Sequence, residues 1–291
     1  MSLSTPVFRP PSEAQSVIIQ INHGCPHNSC EFCGMYKTKP YIEKSVDEIL
    51  SDIDEIPDYI KQSARRIFLA DGDAMKISAS SLEKITGHLN AVFPSLQRIS
   101  AYATCRSINR FSEHALKRLN GNRLRLFYIG LESGSERLLR FCGKNMCMDE
   151  YYSAADLIHQ SGGKISLTAI LGLGGREFTE SHGIATAEAV NRIRPRYFSL
   201  LTLIFGGNEN YIQKIKPLTS GEILEEMKNI VGNISARTIF RSNHVSNLYA
   251  LSGNLPKDKE SIVSTIDDLL DSAEAGEFLN KVPQFEGENS Y

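Results

Sequence analysis

The sequence predicts an α/β fold: a partial (β/α)6, TIM-like barrel of parallel strands with a short, mainly helical C-terminal extension. Short runs rich in β-branched and aromatic residues recur through residues 16–205. Segments with helical apolar spacing separate them. Several runs are almost continuously apolar, as strands covered on both faces are.

The expected strands, in order, are Ser16–Asn22, Arg66–Ala70, Arg98–Ala103, Leu124–Leu131, Ile165–Leu171 and Tyr197–Leu203. Between the first two, Val46, Ile49, Ile53 and Ile56 form one apolar stripe, which predicts a helix over 46–56. Ser81–Val92 and Glu113–Leu119 read the same way. Asp149–Gln160 opens on Asp149 as N-cap and stops before Gly162-Gly163. Thr179–Ile193 ends before Pro195. Alternating strands and helices imply parallel pairing through right-handed crossovers. After Phe205 the rhythm changes: a helix over 219–231, a strand over Ala236–Arg241, a last helix over Ser261–Ala275, and a loose polar end from Val282. The expected division is an N-terminal segment 1–15, a barrel 16–205 and an extension 206–291.

The chain of 291 residues is 41 % hydrophobic and 23 % charged, enough apolar material for a buried core. A net charge of −2 argues against a nucleic-acid binder driven by phosphate attraction. The longest apolar runs, Ile165–Leu173 and Tyr197–Phe205, fall well short of the ~20 residues that span a bilayer. The N-terminus lacks the charged-then-apolar build of a signal peptide, so a cytoplasmic protein is expected.

Three of the six cysteines, Cys25, Cys30 and Cys33, crowd into a loop directly after the first expected strand. In barrel enzymes that end of the strand carries the chemistry. Crowded thiols in a reducing compartment bind metal or do redox work. Three thiolates without an obvious fourth leave one iron of an iron–sulfur cluster open; with His23 or His27 they would instead make a structural zinc site. Cys105, Cys142 and Cys147 are too scattered for a second cluster and read as buried or incidental.

With Phe32 just before the last cysteine and six β/α units in train, this segment resembles the radical S-adenosylmethionine (SAM) superfamily over residues 16–205. The usual spacing puts three residues between the first two cysteines; here there are four, then two. This C-x4-C-x2-C variant resembles a branch near the Elp3/MiaB/NifB-type and coproporphyrinogen-oxidase-like members. The resemblance implies a [4Fe–4S] cluster on Cys25, Cys30 and Cys33. It implies SAM as cofactor, cleaved reductively to a 5′-deoxyadenosyl radical that abstracts hydrogen from substrate. An electron donor such as flavodoxin or ferredoxin would be a partner, with a small-molecule or macromolecular substrate. A non-enzymatic zinc protein and an RNA-modifying member of the superfamily are the rival readings.

The resemblance also nominates SAM contacts. Phe32 would lie near the adenine. Asp71, Gly72 and Asp73, after the second strand, stand where the family has a Gly-Gly-Glu turn for the amino group. Glu132 and Ser133 end the fourth strand, where a carboxylate can accept from ribose hydroxyls or the amino group, and Ser135 caps the next helix. Arg176, after the glycine run closing the fifth strand, and Arg106, after the third, are candidates for the SAM carboxylate and the site. Downstream, Arg241, Asn243 and His244 would line the substrate side or form a hydrogen-bonded turn.

Overall fold

A computed structural model describes residues 3–272 and 276–283. Eight strands form one sheet in chain order: β1 (Val17–Gln20), β2 (Arg66–Ala70), β3 (Arg98–Tyr102), β4 (Leu124–Glu132), β5 (Lys164–Leu171), β6 (Tyr197–Thr202), β7 (Thr238–Arg241) and β8 (Ser252–Leu255). From β1 to β7 all neighbours pair parallel, and β8 turns back antiparallel on β7. β1 and β8 stand at the two edges, so the barrel stays open. The parallel rhythm therefore runs one strand further than residues 16–205.

A helix lies between each pair of successive parallel strands: Val46–Asp54, Ala79–Val92, Glu113–Gly121, Met148–Gln160, Thr179–Ile193 and Ser220–Asn233. Their starts are written locally. Ser45 and Glu48 form a reciprocal capping box, as do Thr219 and Glu222, while Ser78 and Ser112 cap by accepting from the third backbone N–H. Ile49 and Ile53 bury the stripe read from sequence. The Thr179–Ile193 helix stops on Arg194 in a left-handed conformation (φ 52°) before Pro195.

Strand side chains alternate between two layers. Ile67, Leu69, Phe127, Ile129, Phe198 and Phe240 join the helices in the main core. Phe68, Leu126 and Tyr128, with Tyr102 and Tyr197 against them, line the inside of the barrel. Glu13, fully buried, comes from a short turn (Pro11–Glu13) into that interior. Its carboxylate accepts from Arg98 (2.7 Å), Ser100 (3.0 Å), Tyr128 (2.7 Å) and the Ser16 hydroxyl.

Several local expectations are corrected. The first strand is shorter than Ser16–Asn22, because Asn22–His23 leaves the sheet to pair antiparallel with Ile42–Glu43. Cys147, not Asp149, is the N-cap of its helix; its backbone N–H donates to Glu150 at 3.0 Å, which places Asp149 in the first turn. Cys105 opens a one-turn helix, Cys105–Ile108, and is buried, whereas Cys147 is exposed. The last major helix is Lys259–Asp271, and the loose end expected from Val282 falls, after residue 283, outside the described residues. Among the described residues no helix is long and apolar enough to cross a membrane.

Candidate functional site

The C-terminal ends of the parallel strands gather the residues of interest. β1 leads into the cysteine loop, which is tied down on several sides. The Glu31 N–H donates to the Cys142 carbonyl (2.9 Å), Asn208 donates to the Phe32 carbonyl (2.7 Å), and Asn28 donates to the Tyr36 carbonyl (2.7 Å). Cys25, Cys30 and Cys33 are free and half-buried. Burial pushes all three thiols up, Cys30 to about 11, and the Coulombic influence of Cys33 raises both Cys25 and Cys30. The three thiols are thus near enough to influence one another.

Among the described residues no group of three or more Cys, His, Asp or Glu is placed to hold a single metal ion. Tetrahedral zinc needs sulfurs about 3.8 Å apart, from Zn–S distances of about 2.3 Å. A cubane takes each thiolate on a different iron, so its ligands stand further apart. By donor chemistry three half-buried thiols suit the cubane, and among the described residues the zinc set with His23 or His27 is not formed.

The turn after β2 presses against this loop. Gly72 donates to the Gly24 carbonyl (2.9 Å), and a Cβ on Gly72 would lie 2.5 Å from the Cys25 Cβ and 2.8 Å from its sulfur. Only glycine fits there. Asp71, left-handed at φ 69°, is fully buried. It accepts from the Gly24 N–H (3.2 Å), Gln20 (3.0 Å) and Lys39 (2.7 Å). Lys39 also donates to the Ser4 and Pro6 carbonyls, strapping the N-terminal segment to the loop. Burial pushes the Asp71 carboxyl up despite Lys39. Asp73 accepts from Thr104 (2.7 Å), Ser107 (2.6 Å) and the Met75 N–H (3.1 Å). Asp73 and the Oδ2 of Asp71 are committed to positioning the turn, while Asp71 Oδ1 is buried without a hydrogen-bond partner among the described residues.

Opposite, Glu132 ends β4 with φ 64° and a register shift. Its carboxylate pairs with Lys144 at 2.7 Å, and Lys144 donates to the Gly130 carbonyl at 2.5 Å. A Cβ on Gly130 would lie 2.0 Å from Glu132 Oε1 and 3.1 Å from Lys144 Nζ, so this glycine makes room for the pair. Burial pulls the Lys144 pKa down, but Glu132, Tyr151 and Cys30 together outweigh it, and the ammonium is held charged. Lys144 in turn offsets part of the upward push on Cys30.

The sequence model of the radical SAM superfamily matches residues 19–190. The chain belongs to the radical SAM superfamily. No curated protein matches it. The fold is similar to coproporphyrinogen III oxidase (HemN) from Escherichia coli, described as a radical SAM enzyme (TM-score 0.54, 14 % identity, 75 % of this chain and 51 % of that one). It is also similar to the radical SAM methyltransferase TsrM from Kitasatospora setae (0.53, 13 %, 95 % and 54 %) and to methylornithine synthase, PylB (0.53, 12 %, 87 % and 81 %). At these identities the likeness is one of fold, and this chain spans about half the length of the coproporphyrinogen oxidase.

Most of the other nominated residues of this radical SAM chain have partners within the chain. The Phe32 ring is enclosed with Leu173, Phe178 and Tyr211. Ser133 is fully buried, its hydroxyl 2.8 Å from His182 Nδ1 and accepting from the Ser135 N–H (3.0 Å). Ser135 caps Glu136–Phe141. Arg176 pairs with Glu222 (2.7 Å), and Arg106 with Glu150 (2.8 Å). Asn243 is exposed, and His244 bonds within its own turn to Ser246 (2.8 Å). The reading from sequence missed Lys144. It lies in the loop between Glu136–Phe141 and Met148–Gln160, and no local spacing joins it to Glu132; the glycine before it (φ 75°) is the only local sign of a turn.

Proposed function

We propose that this chain is an enzyme that holds a [4Fe–4S] cluster on Cys25, Cys30 and Cys33 and binds SAM between that cluster and the ends of β2, β4 and β5. When bound, the pair supplies one-electron cleavage of SAM and a 5′-deoxyadenosyl radical that takes hydrogen from a substrate. The observation that carries the proposal is the half-buried thiol triplet, pinned by Gly72 on one side and neighboured by the largely enclosed Lys144–Glu132 pair on the other.

The chain's own groups have distinct tasks. The thiols must shed their protons to ligate iron, against a burial that favours the protonated form. Lys144 places a fixed cation beside Cys30 and counters negative charge there. Backbone groups of the 71–73 turn, oriented by the Asp71 and Asp73 networks, and the Glu132 carboxylate supply acceptors for the SAM ammonium. Phe32, Leu173 and Tyr211 keep water from that flank. A flavodoxin- or ferredoxin-type donor would reduce the cluster, and the cytoplasm is the compartment that suits it.

Anaerobic reconstitution tests the proposal. The expected product is a brown protein with about four irons per chain. After reduction it should release 5′-deoxyadenosine from SAM, and alanine at Cys25, Cys30 or Cys33 should abolish both. A colourless chain loaded with zinc, or a cluster that leaves SAM intact, would refute it.

A further inference from the structure

Several cations among the described residues stand in the barrel or at its rim. Lys39 is held by Asp71, Arg98 by Glu13 and Lys144 by Glu132, each at 2.7 Å. Arg241 differs: among the described residues its guanidinium has neither a carboxylate nor a hydrogen-bond partner. It lies 5.1 Å over the Tyr197 ring instead. The exposed Arg196, next in sequence to Tyr197, approaches the same ring at 5.9 Å.

Placement makes the difference informative. The backbone of Arg241 closes β7 at the end where the cysteines stand, and its guanidinium reaches back over Tyr197, the first residue of β6, two register steps toward the other end. Phe240 points into the main core, so by strand alternation Arg241 takes the inner face, the face of Tyr197. One register row joins Arg241 to Ser199, Thr168 and Gly130. Gly130 carries the carbonyl that holds Lys144, so this row lies one step below Glu132. Arg241 is half-buried, and Tyr102 and Tyr128 extend the aromatic wall beneath it.

A guanidinium on an aromatic platform is oriented without being neutralised, and its fork matches a carboxylate or phosphate. We infer that Arg241 is the anchor for an anionic group of the substrate: a small molecule with a carboxylate or phosphate attached to an apolar or aromatic body. The inference rests on the proposed SAM site for the use of the chamber, not for the existence of the anion site.

The test is calorimetric titration of the SAM-saturated holoenzyme with phenyl phosphate, and with phenol as its neutral counterpart. The wild type should bind phenyl phosphate at least tenfold more tightly than phenol. Arg241→Gln should lose about tenfold or more, the size of one charge-assisted hydrogen bond, and Arg241→Lys should keep part of it. Arg237→Gln removes the same charge just before β7, about 13 Å away at ~3.3 Å per residue, and should bind like the wild type. Equal binding by the wild type and Arg241→Gln, absence of binding, or an equal loss in Arg237→Gln would overturn the inference. The titration repeats on the cluster-free chain, and 5′-deoxyadenosine release is scored separately, so the anion site and the SAM site can fail independently.

Discussion

Two buried groups flank the loop after β5 and titrate in opposite senses. Glu226, 3 % exposed, accepts from the Gly172 N–H (2.6 Å) and the Thr179 hydroxyl (2.7 Å), and burial pushes its carboxyl from 4.5 to about 7. His182, fully buried beneath Ser133, is pushed from 6.5 to about 4 by burial. Each displacement is about 2.5 pH units, which at ~1.36 kcal/mol per unit is about 3 kcal/mol. Folded Glu226 holds its proton more tightly than the unfolded chain does. Its contribution is whole below about 4.5 and is lost as pH rises through about 7. Folded His182 resists its proton, so its contribution is whole above 6.5 and is lost as pH falls through about 4. Between 4.5 and 6.5 the two slopes cancel. Removing either group exposes the other. Relative to the wild type, Glu226→Gln should gain about 3 kcal/mol as pH rises from 4.5 to 7, and His182→Gln should lose about as much from 4 to 6.5. Urea denaturation followed by circular dichroism across this range reads both. Curves for the variants that run parallel to the wild type at every pH would refute the reasoning.

The site itself supplies further outcomes. Gly72→Ala should cost ~1–3 kcal/mol by overpacking against Cys25. It should also lower the iron retained after reconstitution while the circular dichroism spectrum is kept. Lys144→Met should destabilise by ~3–5 kcal/mol, because Glu132 is left charged and half-enclosed, and adding Glu132→Gln should recover most of that loss in a denaturation series. Additive losses would mean the pair is not coupled. Asp71→Asn should strand the Lys39 ammonium and lower stability by ~3 kcal/mol, read as a fall in the thermal midpoint.

The barrel was legible because its strands are short, apolar and spaced by helix-length segments; Arg66–Ala70 and Thr179–Ile193 match residue for residue. β8 was not legible. Its four residues, Ser-Gly-Asn-Leu, carry almost no strand propensity and form an edge held by β7. The cysteine triplet is visible because its three thiols are close in sequence. The groups around it were not, because burial and long-range pairing decide them. Asp71 and Asp73 stand at the expected strand end, but their carboxylates are taken by Lys39 and by Thr104 and Ser107. For Arg176 the sequence leaves a SAM-carboxylate contact and a solvated surface position open, and its pairing with Glu222, from a helix begun more than forty residues later, is not legible locally. Lys144 meets Glu132 only because the short helix Glu136–Phe141 folds the intervening chain back.

The inward turn at Glu13 carries a consequence for the order in which the molecule assembles. Its carboxylate waits for Arg98, Ser100 and Tyr128, so at ~5–20 residues per second of synthesis it leaves the ribosome on the order of ten seconds ahead of its last partner. The cysteine loop emerges within that interval. The barrel floor is therefore sealed by a segment that was made early and docks late, and while it is undocked the interior lies open from below.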